Sequence, residues 1–382
     1  MLKVLKWIGI IILIVLVAVI AAVSIALFVT RPPPPPQNSE SAARLADGPY
    51  EISTNEYIWV DTTRSTPPNG EFEGAPDRTL PTRIWYPQGA DGPAPLVIYS
   101  HGFRSDNVGG AYIAEFLASH GYVVAAPRFP LSNGMAPGGA TISDVPSQPG
   151  DVSFVIDHML ALSGEDKPYN VTLDADRIGA IGLSLGGLTT TLTTFHPEWR
   201  DARIKAAVSM AGPADVFGPD FFTTTDAAYL VISGTEDAIV PHRTNAAPMP
   251  DKLSSGGLLE IEGGTHAGFA DLMSGIPRLF GNPDELVCSI TEFGTGGHPF
   301  DGMFGGPELG LISPDEFVPA CSFELGEAIS AGRQQMIARL AIHALLESVF
   351  ADTAETRSEN EVFVTETLEN DFPELTYLPA RR

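Results

Sequence analysis

Arg177-Ile178-Gly179-Ala180-Ile181-Gly182-Leu183 runs without a break into Ser184-Leu185-Gly186-Gly187. The first seven residues form an apolar run of the kind that lies inside a parallel sheet, and a helical stretch follows the glycines. Gly182–Gly186 fits G-x-S-x-G. The pattern is short and common in turns, but a strand before it and a helix after it make it the signature of a serine on a sharp strand-to-helix corner. Glycine flanks such a corner because the backbone is strained and closely packed there. The helix N-terminus behind Ser184 offers partial positive charge to a developing oxyanion.

Working outward, strands and helices alternate. Tyr57–Asp61 and Leu80–Tyr86 read as early strands. Pro95–Tyr99, Tyr122–Ala126, Ile204–Met210, Tyr229–Ser233 and Leu258–Glu262 read as short buried strands, the last of these closing the series. Ala111–Ser119, Asp151–Leu162 and much of Glu324–Phe350 have helical spacing. This alternation predicts an α/β fold, a mostly parallel sheet with helices on both faces.

A serine hydroxyl needs a base, and the base needs an orienting acid. In hydrolases built on this corner the acid and then the histidine follow the serine in the chain. Asp237 lies just past the strand Tyr229–Ser233, and His266 just past Leu258–Glu262. Both fall at carboxyl ends of strands, where ligands of such sheets bind. Ser184, Asp237 and His266 are therefore the candidate catalytic residues. Asp215, after Ile204–Met210, is the second candidate for the acid, and Glu236 a third. His101 precedes the nucleophile and fits a role in supporting the loop Ser100–Phe103. The N–H groups of Phe103 and Leu185 are the candidate oxyanion donors.

Arg83–Pro87 (RIWYP), the His101-Gly102-Phe103 loop, Leu117–Pro127 (LASHGYVVAAP) and Gly182–Gly187 together resemble one branch of the α/β-hydrolase superfamily. That branch holds platelet-activating-factor acetylhydrolase-like and dienelactone-hydrolase-like proteins, and cutinase-type polyester hydrolases are related to it. The resemblance spans roughly residues 50–350. It implies the α/β-hydrolase fold and a serine carboxylester hydrolase without a cofactor. The triad roles carry over to Ser184, Asp237 and His266, and the oxyanion roles to Phe103 and Leu185. Leu183 stands where acetylhydrolases and cutinases usually have His, and Ser184 where dienelactone hydrolases have Cys. The substrate is therefore inherited from neither group.

The chain has 382 residues, of which 44% are hydrophobic, enough for one large α/β domain with a sizeable core. With 22 Lys+Arg against 47 Asp+Glu the net charge is −25, and no basic patch is available to hold nucleic acid. Only two cysteines are present, Cys288 and Cys321, which excludes a CxxC zinc cage.

The 23 residues Trp7–Val29 carry no charge. As a helix they reach roughly 35 Å, enough to cross the hydrocarbon core of a membrane. Lys3 and Lys6 before the run favour a cytoplasmic N-terminus. Residues 1–30 thus read as a transmembrane signal anchor, with a cleaved signal peptide as the alternative. Either way the remainder is exported, to the periplasm or the cell surface, and there Cys288 and Cys321 are expected to form a disulfide, two free thiols being the alternative. Pro32–Pro36 and the polar residues after them read as an extended linker over 31–49.

The catalytic domain is read as 50–350, with 351–382 as an acidic, peripheral tail. Between Gly212 and Ala228 there is no room for a helical cap. Ala267–Phe323 instead forms a long Gly-, Pro- and Phe-rich insertion containing both cysteines, read as a stapled rim or lid. A bridge closing 288–321 would add roughly 3–4 kcal/mol in the chain-entropy description. The loop Arg128–Gly150, with Phe129, Met135 and Pro137, is expected to form the facing wall. Both loops are apolar, which points to an uncharged small-molecule or lipid-like ester. The competing functions are a peptidase or amidase on the same triad, separable by an amide substrate, and a non-catalytic binding protein, which a missing triad member would favour.

Overall fold

A computed structural model describes residues 2–29, 31–90, 92–162, 171–275, 281–291, 297–314 and 316–382. Among the described residues, nine strands form one sheet in the order β1-β2-β4-β3-β5-β6-β7-β8-β9. The strands are β1 (Ile52–Asp61), β2 (Arg78–Pro87), β3 (Ala94–Ser100), β4 (Val123–Pro127), β5 (Leu173–Leu183), β6 (Ile204–Met210), β7 (Ala228–Gly234), β8 (Gly257–Ile261) and β9 (Leu375–Pro379). The six from β3 to β8 run parallel, while β1, β2 and β9 are joined antiparallel at the two ends. The central parts of the inner strands are apolar because both faces are covered there. Every residue of β4 is buried, and so is Ile178–Leu183 of β5.

Helices of at least eight residues are α1 (Leu2–Val29), α2 (Ala111–Ser119), α3 (Gln148–Ala161), α4 (Leu185–Phe195), α5 (Pro283–Ile290), α6 (Ala331–Phe350) and α7 (Ala354–Val362). One face of the sheet buries Val152, Val155 and Ile156 of α3 with Leu188 and Leu192 of α4. The other buries Ile113 and Leu117 of α2 with Ile337, Leu340 and Leu346 of α6. The threonines of α4 are buried, and most of their hydroxyls are engaged within the helix. Thr191, Thr193 and Thr194 each donate a hydroxyl proton to the carbonyl four residues back. α1 is exposed and apolar over Lys6–Val29, long enough to cross a membrane.

The early strands are longer than the sequence predicts, because β1 exposes alternate residues at the sheet edge and so carries no continuous apolar run. Two further expectations are overturned. Leu258–Glu262 does not end the sheet: Leu375–Pro379 pairs antiparallel with it, Leu259 opposite Tyr377. The acidic segment 351–382 is therefore not peripheral, and Phe363, Leu368 and Phe372 are buried against α6 and the sheet. The linker also touches the domain, since Arg333 Nη1 donates to the Pro33 carbonyl at 2.9 Å and Pro35 is buried.

Candidate active site

β5 ends at Leu183 and α4 begins at Leu185, so Ser184 forms the whole corner, at φ 57° and ψ −122°. A non-glycine residue holds this conformation only where its surroundings fix it. Here the Ser184 N–H donates to the Met210 carbonyl at 2.8 Å. The flanking glycines are required by space. A Cβ on Gly182 would lie 2.0 Å from the Gly186 carbonyl oxygen, and one on Gly186 would lie 2.0 Å from that of Ser100. The end of β3 thus passes directly against the corner. A Cβ on Gly102 would sit 3.3 Å from Ser184 Cβ, which brings the Phe103 loop to Ser184.

His101 holds that loop. Its Nδ1 donates to the Gly102 carbonyl at 2.8 Å, and its Nε2 accepts from the Phe129 N–H at 3.1 Å. These partners fix the neutral Nδ1–H tautomer, and burial pushes the pKa down to about 4. Both ring nitrogens are engaged, in keeping with a supporting role.

Asp237 and His266 meet at the ends of β7 and β8. His266 Nδ1 lies 2.9 Å from Asp237 Oδ2 and 3.1 Å from Oδ1. Asp237 Oδ1 also accepts from the N–H groups of Ile239 and Val240, at 3.0 and 2.7 Å. The carboxylate is fully buried and acceptor-only, so it fixes the proton on Nδ1 and leaves the lone pair on Nε2. Burial opposes the imidazolium, but the charge and hydrogen bond of Asp237, with Asp284 beside it, hold the His266 pKa above its ordinary value. Ser184 Oγ makes no hydrogen bond among the described residues, and such bonds often close only with substrate bound.

The other acid candidate is occupied elsewhere. Asp215 Oδ2 accepts from His298 Nε2 at 2.9 Å. Glu236 accepts from the Gly326 N–H at 3.1 Å, away from the imidazole. His242 pairs with Glu260 at 2.7 Å.

Ser184, Leu185 and Phe103 open on a cavity of about 450 Å³ whose walls include Ile239, Val240 and Phe300. The insertion lines it through Thr291, Gly297–Phe300, Phe317, Val318 and Ala320. Parts of the predicted rim, 276–280, 292–296 and 315, lie outside the described residues. From the loop Arg128–Gly150 the cavity takes Ile142, not the three residues expected. Phe129 is buried beneath His101 and Met135 points to solvent. Cys288 and Cys321 form a disulfide with their Cα atoms 5.7 Å apart. It joins α5 to a segment whose Cys321 N–H donates to the Ala238 carbonyl at 2.6 Å, next to Asp237.

The sequence reading missed Asp284. This buried carboxylate on α5 accepts the N–H groups of Ala238, His266 and Ala267. Asn282-Pro283-Asp284 reads as a helix start, which explains the acidic residue locally and hides its contact with distant loops.

The sheet order, the serine corner and the positions of acid and histidine define an α/β-hydrolase. A ferulic acid esterase from Streptomyces cinnamoneus shares this fold at a TM-score of 0.52 and 20% identity, covering 86% of this chain and 96% of that one. Residues 35–277 match the PETase family, described as PET hydrolase-like, and the chain belongs to that family. The protein is a carboxylic ester hydrolase of the serine type. No curated protein matches it.

Proposed function

We propose that the protein is a membrane-anchored serine ester hydrolase that works through an acyl-enzyme on Ser184, with His266 as base and acid and Asp237 as its orienting group. The observation that carries this reading is the Asp237–His266 contact of 2.9 Å, which leaves Nε2 as the basic nitrogen. Ser184 Oγ attacks the ester carbonyl carbon while His266 Nε2 takes its proton. The oxyanion of the tetrahedral intermediate is received by the N–H groups of Phe103 and Leu185 at the α4 N-terminus. His266 then protonates the leaving alcohol, and the acyl group stays on Ser184. Water, deprotonated by His266, attacks the acyl carbon; the bond to Ser184 Oγ then breaks as His266 returns the proton to that oxygen, and the acid is released.

The largely apolar cavity favours an uncharged acyl or alcohol part, a lipid-like one included. α1 supports anchoring through residues 1–30, with Lys3 and Lys6 on the cytoplasmic side and the catalytic domain outside. The linker is 31–49, and the domain extends from 50 through β9 because that strand closes the sheet. A series of p-nitrophenyl esters from acetyl to palmitoyl, with an amide control, tests the reading. Ester turnover lost in Ser184→Ala supports it. Turnover of the amide alone overturns it.

A further inference from the structure

Asp284 is fully buried on α5, beyond the residues 35–277 that match the family. Its Oδ2 accepts from the Ala238 N–H at 2.9 Å and from the His266 N–H at 3.0 Å, and its Oδ1 from the Ala267 N–H at 2.7 Å. Ala238 is the residue after Asp237, and Ala267 the residue after His266. One carboxylate thus ties the backbone of the acid loop to the backbone of the histidine loop. Its own position is fixed from two sides. Asn282 Oδ1 accepts the Asp284 N–H at 2.9 Å, and Asn282 Nδ2 donates to the Gly326 carbonyl at 3.1 Å. One turn further on, Cys288 is bridged to Cys321, which hydrogen-bonds Ala238.

We propose that Asp284 is a positioning residue for the Asp237–His266 pair, joining the two loops that carry them and adding negative charge that favours the imidazolium. The proposal rests on the triad reading above. The charged groups acting on His266 are Asp237 and Asp284, and those acting on Asp284 are Asp237 and His266. Burial and the Asp237 charge raise the Asp284 pKa, while His266 and the backbone N–H groups oppose the rise. Loss of the Asp284 charge therefore makes His266 less basic. Asparagine keeps the shape of the side chain but offers one acceptor oxygen. Its NH₂ group must then face at least one of the three backbone N–H donors.

The experiment measures kcat and KM for a p-nitrophenyl ester across pH with the full chain in detergent, for the wild type, Asp284→Asn, Asp284→Glu and Ser184→Ala. For Asp284→Asn the expectation is a kcat lower by about tenfold or more, since small displacements of reacting groups cost that much. KM should stay within about twofold. The acidic limb of kcat/KM, where His266 loses its proton, should move to lower pH by about half a pH unit or more. Asp284→Glu keeps the charge but displaces the oxygens, so kcat should fall with the limb in its wild-type place. Wild-type kcat and an unmoved limb in Asp284→Asn overturn the proposal. So does an Asp284→Glu limb displaced like that of Asp284→Asn. Should Asp284→Asn yield no folded protein, wild-type kcat in Asp284→Glu overturns the positioning role. Activity persisting in Ser184→Ala refutes the triad reading itself. Its loss there, with Asp284→Asn unchanged, refutes only the role of Asp284.

Discussion

His298 Nε2 lies 2.9 Å from Asp215 Oδ2, and this contact removes the second acid candidate from His266. Both residues line the cavity, Asp215 from the loop after β6 and His298 from the insertion. The pair therefore anchors the insertion to the sheet, while Asp237 alone of the candidate acids accepts from His266.

The two carboxylates are separated by substitution. Asp237→Asn should lower kcat by about 10⁴-fold, because an amide no longer fixes the Nδ1–H tautomer. Asp215→Asn should lower kcat by less than about tenfold and act mainly on KM, through the cavity wall. Steady-state kinetics on one ester decides it, and the opposite ranking moves the acid to the loop after β6.

The disulfide joins α5 to the segment beside Asp237, so it constrains more than the rim. The intact mass under non-reducing conditions should be about 2 Da below that of the dithiol form. Cys288→Ser/Cys321→Ser should raise KM and lower kcat, with a melting temperature reduced by less than the closure of the 288–321 loop would give at roughly 3–4 kcal/mol. Unchanged kinetics in the double variant would remove the bridge from the site.

Acid should destabilise the fold through its buried neutral histidines. Burial, with His120 and Arg44 adding to it, pushes His343 down to about 3 from 6.5, and burial pushes His101 down to about 4. A histidine with a depressed pKa contributes stability in full above about 6.5. That stability is lost as pH falls toward the folded value, because the unfolded chain takes up the proton first. His266 has the opposite sign: its raised pKa contributes stability below about 6.5 that is lost as pH rises through the folded value. The melting temperature should fall between pH 6.5 and 4, and less steeply in His343→Gln. Equal slopes in the two proteins would contradict this assignment.

How much of this was legible in the sequence follows from how local each signal is. The buried cores of β3 to β8 are short apolar runs, and the corner at Ser184 is a contiguous motif, so both could be read directly. Asp237 and His266 followed from chain order. β9 could not be read because it lies in an acidic segment and only Leu375 among its residues is buried. Asp284 was hidden because its three partners are backbone N–H groups 17 to 46 positions away, which leave no trace in residue type. Phe129 was misplaced because an apolar residue in a loop fits a pocket wall and a buried prop equally well, and only the contact with His101 distinguishes them.

The central claim is that Ser184 is the nucleophile. Its most direct test is labelling of the folded protein with a fluorophosphonate, followed by mass mapping of the modified peptide, for the wild type and Ser184→Ala. One label per chain is predicted, on the peptide containing Ser184, with ester hydrolysis lost in step with labelling and no label on a folded Ser184→Ala protein. Labelling or ester turnover that persists in Ser184→Ala would contradict the account.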